Sequence, residues 1–314
     1  MLRLDCPDFD QFEEALSFVQ GRYLLSQRTV RDWRLRAADF GDVYVMIAHE
    51  GAANAYHGAC ADFFFVEVPL SGHDLLRLNG ERISPSTILW LAPGDEFAFR
   101  AEGVLEWACI GIRSDRVWEW FELQGIEANH LLHTLTVPSD AATIGRLVRL
   151  IRRVLWLEQR DPDALNDPRA RELACADLID TALAAAIAGS AETAKHRRRQ
   201  HLRKRQILKS ATGLIEASID QPIGLNDLCR AANTSRRTLH SVFAEHLGMS
   251  PHQYLMRRRL HAVHMDLRKA KPSQTVTEIC AQYGVWDVGR FAERYRRQFG
   301  ILPSEMLTAM RQGA

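Results

Sequence analysis

The chemistry this chain advertises is that of arginine set among short polar side chains. In one segment Arg236 and Arg237 precede Thr238, His240 and Ser241. In another, Val288, Gly289, Ala292 and Glu293 are interleaved with Arg290, Arg294, Arg296 and Arg297. A guanidinium is a two-pronged donor that matches the edge of guanine, and His and Ser are short donors or acceptors that read beside it. Val and Ala methyls suit the thymine methyl, and a carboxylate accepts from cytosine. Arg237, His240 and Ser241 are therefore candidate base readers, with Arg236 and Thr238 better placed for phosphate. Val288, Gly289 and Glu293 form the candidate reading face of the second segment, and its four arginines read as backbone clamps. A single arginine of this kind is as often a solvated charge; the cluster on a repeated unit is what singles these out.

The elements that must position these side chains are legible as a repeat. Leu225, Leu228 and Cys229 reappear as Val276, Ile279 and Cys280, an offset of 51, and Asn233 maps to Gly284. Beyond the turn the offset is 52: Leu239 maps to Phe291, Phe243 to Tyr295, Leu247 to Phe299, Gly248 to Gly300 and Pro251 to Pro303. Each copy reads as a short helix, a tight turn and a second helix. Asn233 and Gly284 are residue types that tolerate a left-handed backbone. Ser235 and Asp287 stand where a helix N-cap is wanted. Two helices joined in this way make a helix-turn-helix, whose second helix enters a DNA major groove. In the first copy Leu239, Val242, Phe243 and Leu247 define a buried face, leaving Arg236, Arg237, His240, Ser241 and Ala244 opposite. In the second, Phe291, Tyr295 and Phe299 define the core side. Ser250-Pro251 starts a long helix over 251–269 that joins the copies. A helix over 207–219 precedes them, and a last one starts near Pro303.

Charge agrees with this placement. The net charge of +1 conceals an asymmetry: residues 1–194 hold 18 Arg and no Lys against 30 Asp plus Glu, whereas residues 195–314 hold 22 Lys plus Arg against 9 Asp plus Glu. A polyanion partner for the second half alone follows. The six cysteines are too dispersed for a CxxC pair, so neither a zinc knuckle nor a redox motif is indicated. Their use fits a reducing cytoplasm. Asp5, Asp8 and Asp10 at the start do not read as a signal peptide, and no apolar run approaches the roughly 18 residues of a membrane span.

The first half has a different texture. Residues 8–20 read as a short amphipathic helix. Between Val30 and Ile112, short apolar runs at 43–48, 62–70, 74–79, 81–84, 87–92, 96–100 and 104–112 read as strands of a sandwich or small barrel. Asn79-Gly80 signals a two-residue hairpin and Pro93-Gly94-Asp95 a turn. Helices follow at 115–125, 139–159 and 168–188. Residues 191–206 read as a basic linker. The organisation expected is α+β, with residues 1–190 as a sensing and dimerising domain and residues 207–314 as an all-α DNA-binding domain.

Residues 225–307 resemble the DNA-binding domain of AraC/XylS transcription regulators. The resemblance is carried by Ser235-Arg236-Arg237-Thr238-Leu239, Phe243, Gly248, Pro251, Tyr254-Leu255, Arg259-Leu260, Gly284-Val285-Trp286, Gly289-Arg290-Phe291, Tyr295, Phe299-Gly300 and Pro303-Ser304. The Ser-Arg-Arg-Thr-Leu start and the Gly-Val-Trp and Gly-Arg-Phe-Ala pattern are most similar to the subgroup containing the ethanolamine-utilisation regulator. Val285 stands where a Phe is usual and Asp287 where a His or Ser is usual, which leaves the base preference of the second unit open. The resemblance implies sequence-specific activation of transcription through double-stranded DNA and RNA polymerase. It also implies a cupin-like N-terminal barrel that senses a small-molecule effector and forms a homodimer.

Enzyme classes find no support in the sequence. There is no Gly-rich phosphate loop and no GxSxG elbow. His49, His57 and His73 stand singly where a metal-binding barrel pairs its histidines, and a four-cysteine zinc site is excluded by spacing, so no cofactor is expected. For an effector pocket the apolar lining candidates are Tyr56, Phe63, Phe65, Trp90 and Trp107, with Glu67 as an acid within the strand. Facing inward, Glu67 calls for a cationic amine, because a buried carboxylate is costly unless paired. Facing outward, it is merely solvated, and the chain reads instead as a DNA-binding regulator with no small-molecule effector, controlled by abundance or by a protein partner.

Overall fold

A computed structural model describes residues 2–6, 9–16, 19–25, 32–127, 129–193, 198–271 and 273–312. It divides into two compact units, Met1–Tyr23 with Val30–His201, and Leu24–Thr29 with Leu202–Ala314.

The first unit begins with β1 (Leu2–Cys6), α1 (Phe9–Ala15), β2 (Val19–Leu25), β3 (Trp33–Asp39), β4 (Val43–Glu50), β5 (Asn54–Cys60) and β6 (Phe63–Ser71). It continues with β7 (Leu76–Leu78), β8 (Glu81–Arg82), β9 (Thr87–Leu91), β10 (Phe97–Ala101) and β11 (Leu105–Arg113). It closes with α2 (Ser114–Gln124), β12 (Leu135–Pro138), α3 (Ala141–Arg160) and α4 (Pro168–Thr193). The strands form a seven-stranded sheet, β1-β3-β4-β11-β6-β9-β12, and a five-stranded sheet, β2-β5-β10-β7-β8. The expected cupin-like barrel is corrected here: the described strands make two open sheets, with no closed barrel among them.

Alternation along β6 and β11 assigns the two faces of the larger sheet. Phe64, Val66, Val68, Ala108, Ile110 and Ile112 form one core with Val117 and Phe121 of α2, Leu147 and Ile151 of α3, and Leu178 and Leu183 of α4. Phe65, Glu67, Trp107 and Cys109 point to the other face, toward the smaller sheet. Asn79 at φ 52° and Gly80 at φ 85° make the two-residue turn between β7 and β8, because both positions of this hairpin type need positive φ. Helix α3 starts at Asp140, whose carboxylate accepts from the Thr143 backbone N–H at 2.8 Å.

Sequence texture misses strands β1, β2, β3, β5 and β12. In β5 the run Asn54-Ala55-Tyr56-His57-Gly58-Ala59-Cys60 is small and polar, so its burial is set by the sheet around it. The helix expected over 8–20 is only α1, and β2 begins at Val19. The claim about apolar runs is also corrected. Within α4, Pro168–Ser190 is long and apolar enough to cross a membrane by length and composition, with a mean hydropathy of 1.5 over its most apolar window. The same residues serve the core, since Leu178, Ile179, Ala182, Leu183, Ala185 and Ala186 are buried in it.

The second unit is helical: α5 (Arg198–Ala217), α6 (Leu225–Ala231), α7 (Arg236–Leu247), α8 (Pro251–Arg268), α9 (Val276–Gln282), α10 (Val288–Phe299) and α11 (Pro303–Gln312). Helix α4 runs to Thr193 and α5 starts at Arg198, so most of the stretch read as a linker is helical, and residues 194–197 lie outside those described. The repeat is explicit in the cores: Leu228, Leu239 and Phe243 are buried in one copy, and Ile279, Phe291 and Tyr295 in the other.

Candidate nucleic-acid interface

Each helix-turn-helix copy is built by its turn and its cap. Asn233 adopts φ 44° and Gly284 φ 64°. After the first turn the Ser235 hydroxyl accepts from the Thr238 N–H at 3.2 Å, and after the second the Asp287 carboxylate accepts from the Arg290 N–H at 3.1 Å. Helix α8, which joins the copies, starts with a reciprocal cap: Ser250 accepts from the Gln253 N–H, and the Gln253 side chain accepts from the Ser250 N–H at 2.8 Å. A cap of the same kind between Thr275 and Glu278 starts α9.

The buried faces of α7 and α10 decide what is presented. Leu239, Val242, Phe243 and Leu247 are buried, and Arg236, Arg237, Thr238, His240 and Ser241 are exposed together at the start of α7. Of these, Arg236 is already held, donating twice to Asn226 Oδ1 on α6 at 2.7 and 3.1 Å. Arg237, His240 and Ser241 have no side-chain partner among the described residues and are available to a ligand. On α10, Phe291 and Tyr295 are buried, while Gly289, Arg290, Glu293, Arg294, Arg296 and Arg297 are exposed. Val288 departs from expectation: it is half-buried and packs on the core with Ile279 and Phe291, which limits its reach to a base. Arg290 pairs with Asp287 at 3.3 Å, and Arg297 leans on the Glu293 carbonyl at 3.5 Å.

Not all the basic charge faces outward. Arg258 is 4% exposed, and its guanidinium clamps both oxygens of Glu216 on α5 at 2.6 Å each. Arg259 is 7% exposed and donates to the Ile219 and Gln221 carbonyls at 3.2 and 2.6 Å. Arg258 ties α8 to α5 and Arg259 ties α8 to the loop after α5, so neither is part of a reading face. Their positions among the apolar residues of a helix, beside Leu255 and Leu260, are the available sequence signal. Trp286, 82% exposed immediately before the cap of α10, borders the exposed arginines.

The effector candidates separate into two groups. Tyr56, Phe65, Glu67 and Trp107 line a cavity of about 50 Å³ between the two sheets of the first unit. Gly111 makes room for one of them, since a Cβ there would sit 2.5 Å from the Phe65 ring. Trp90 does not line it: the indole is buried on the helix side of the sheet and donates to the Leu131 carbonyl at 2.7 Å. Phe63 does not line it either, and packs on Tyr44 and Phe65 at the start of β6. Both corrections follow from position on the sheet, as Trp90 has the wrong face and Phe63 the wrong end.

Sequence reasoning missed Glu50, which ends β4 and lines the same cavity. Its carboxylate accepts from Trp107 Nε1 at 2.8 Å and Asn54 Nδ2 at 2.7 Å, with the Tyr23 hydroxyl as a third donor. Burial raises its pKa and those donors oppose the rise. Glu67 is 8% exposed, and burial together with the nearby Glu50 charge pushes its pKa up to about 8. The ring of Tyr56 meets those of Tyr23 at 4.8 Å and Phe97 at 5.5 Å. Among the described residues, no group of three or more His, Cys, Asp or Glu is placed to hold a metal ion.

Comparison with known proteins bears on the helical unit. Residues 228–309 match a family described as a helix-turn-helix domain. A crystal structure of a probable AraC family transcriptional regulator from Rhodopseudomonas palustris is 31% identical, covering 33% of this chain and 96% of that one, with a TM-score of 0.32. Residues 228–309 thus form a helix-turn-helix domain, similar to that of AraC/XylS-family regulators. Among curated relatives, the XylDLEGF operon transcriptional activator 2 of Pseudomonas putida is 37% identical over 95 residues, which is 30% of this chain and 60% of that protein. The probable thc operon regulatory protein of Rhodococcus erythropolis is 33% identical over 150 residues, 46% of this chain and 45% of that protein. The chain thus aligns with less than two thirds of the length of either curated relative. The match with the P. putida relative spans 30% of this chain.

Proposed function

We propose that this chain is a sequence-specific DNA-binding regulator of transcription, and specifically an activator that works with RNA polymerase in the cytoplasm. The observation that carries the reading is the pair of exposed, arginine-bearing helices α7 and α10, each at the second position of a helix-turn-helix and joined through α8. Arg237, His240 and Ser241 read bases; Arg290, Arg294, Arg296 and Arg297 grip phosphates. The names of the P. putida and R. erythropolis relatives, an operon activator and an operon regulatory protein, support the same role.

In this proposal residues 1–190 sense a small molecule and form a homodimer, and residues 207–314 bind DNA. The cavity lined by Tyr56, Phe65, Glu67 and Trp107 supports the sensing role. The finer kinship with the ethanolamine-utilisation subgroup rests on the Ser235–Leu239, Gly284–Trp286 and Gly289–Ala292 motifs alone. The test is a genome-wide selection of fragments bound by the purified full-length chain, followed by a footprint and a promoter reporter on the best fragment. A protected segment whose reporter responds to the chain supports the proposal; uniform binding to all fragments overturns it.

A further inference from the structure

We propose that the cavity between the two sheets of the first unit is a binding site for a small organic cation carrying N–H groups, held by Glu67 and Glu50 inside an aromatic wall. It deepens the sensing role proposed above and rests on it.

Two independent features point to such a ligand. The first is an acceptor without a donor. Glu67 is 8% exposed, lines the cavity, and has no hydrogen-bond or ion-pair partner among the described residues. A buried carboxylate is costly unless it is paired or neutralised. Among the described residues, no Lys, Arg or His lines the cavity to serve as its partner. Glu50 differs, because Trp107, Asn54 and Tyr23 already donate to it, and those donors favour its ionised form. The cavity therefore holds one carboxyl already engaged by donors and, beside it, a second carboxyl with both oxygens unengaged.

The second feature is the wall. Tyr23, Tyr56, Phe97 and Phe99 follow one another with ring centroids 4.8, 5.5 and 5.2 Å apart. Aromatic faces attract cations and repel anions, so wall and carboxylates select the same sign of charge. Size sets the scale of the ligand. One water needs roughly 10–15 Å³ of such space, so the cavity of about 50 Å³ admits a ligand of a few non-hydrogen atoms. The unengaged oxygens of Glu67 favour an ammonium that can donate over one that is fully alkylated, because a quaternary ammonium leaves them without a partner.

The test uses the full-length chain and four compounds of similar size: n-propylammonium, tetramethylammonium, 1-propanol and propionate, at matched ionic strength. Binding is read by calorimetry and by thermal melting, since a ligand of the folded state alone raises the Tm. The expected order is propylammonium first, tetramethylammonium weaker, and no effect from the alcohol or the anion. Glu67→Gln should weaken propylammonium binding at least tenfold while melting cooperatively when empty. Should that variant misfold, the ranking on the unaltered chain still decides. Propanol binding as well as propylammonium, or none of the four binding, overturns the cation site. DNA affinity with and without propylammonium separates the two layers: tight binding of the cation with unchanged DNA affinity keeps the site and removes its sensing role. A neutral molecule that alters DNA affinity where cations do not removes the cation and keeps the sensing role.

Discussion

At the scale of single residues, Arg237 and Arg296 carry the same charge and should do different work. Arg237 is exposed at the start of α7 beside His240 and Ser241, all three free to meet base edges. Arg296 sits near the end of α10 among other arginines, where phosphate contact is the natural use. Arg237→Ala should relax preference at one or two base pairs, at a cost of about 1–3 kcal/mol against the cognate base. Arg296→Ala should weaken cognate and unrelated DNA alike and lower the salt slope by about one unit. Titration of both variants against every single-base change of the operator, at two salt concentrations, checks the division. Glu67 supplies a prediction of another kind. Its pKa is raised from 4.5 to about 8, so the folded chain holds that proton more tightly than the unfolded chain. Stability from this group is then complete at low pH and is lost as pH rises from about 4.5 toward about 8, with a slope of at most about 1.4 kcal/mol per pH unit. Glu67→Gln cannot ionise and should match the parent near pH 5 and exceed it near pH 8, as denaturant melts at the two pH values will show.

At the scale of elements, the caps and the connecting helix matter most. Ser250 and Gln253 satisfy backbone groups at the start of α8 by bonding each other's chain. Ser250→Ala should cost about 1 kcal/mol of unfolding free energy, measurable as a lower denaturant midpoint with an unchanged slope. Asn233 and Gly284 hold positive φ in the two turns, and Gly284→Val should be worse than Gly284→Asn because a β-branched residue resists that backbone. Helix α8 has 18 residues, and about 1.5 Å per residue gives it a length of roughly 27 Å. That is close to the roughly 34–36 Å between successive major-groove faces of one side of a duplex. The second copy, with its half-buried Val288 and its arginines, is expected to add affinity more than base preference.

At the scale of the whole molecule, the charge asymmetry and the paired helix-turn-helix units give an expected footprint on one face of the duplex over about two helical turns. Protection confined to a single groove segment would show that α9 and α10 do not engage DNA. Helices α3 and α4 bury one side against the larger sheet, yet Trp156 and Leu173 remain 54% and 65% exposed. Self-association through residues 1–190 is expected to cover them, and sedimentation at micromolar concentration, with and without DNA, will report a dimer or a monomer.

The sequence by itself determined the helix-turn-helix repeat. A helix that buries one stripe and exposes the other writes both into a local pattern of 3.6 residues, and caps and turns need residue types that are visible within a few positions. For the same reason the sequence pattern places Arg237, His240 and Ser241 on one face of the helix. In the first unit, tertiary structure alone decided the missed strands and which face of each strand lines the cavity. Strands such as β5 carry small polar residues whose burial comes from neighbouring strands far away in the chain. A period of two leaves it open which face of a strand meets the core, so Trp90 and Glu67 could not be told apart as lining residues. The placement of Glu50 and Glu67 on the two strands flanking β11 is a long-range fact of register, Glu50 opposite Leu105 and Glu67 opposite Cys109. No local spacing encodes that meeting, and it is what places two carboxyls in one cavity.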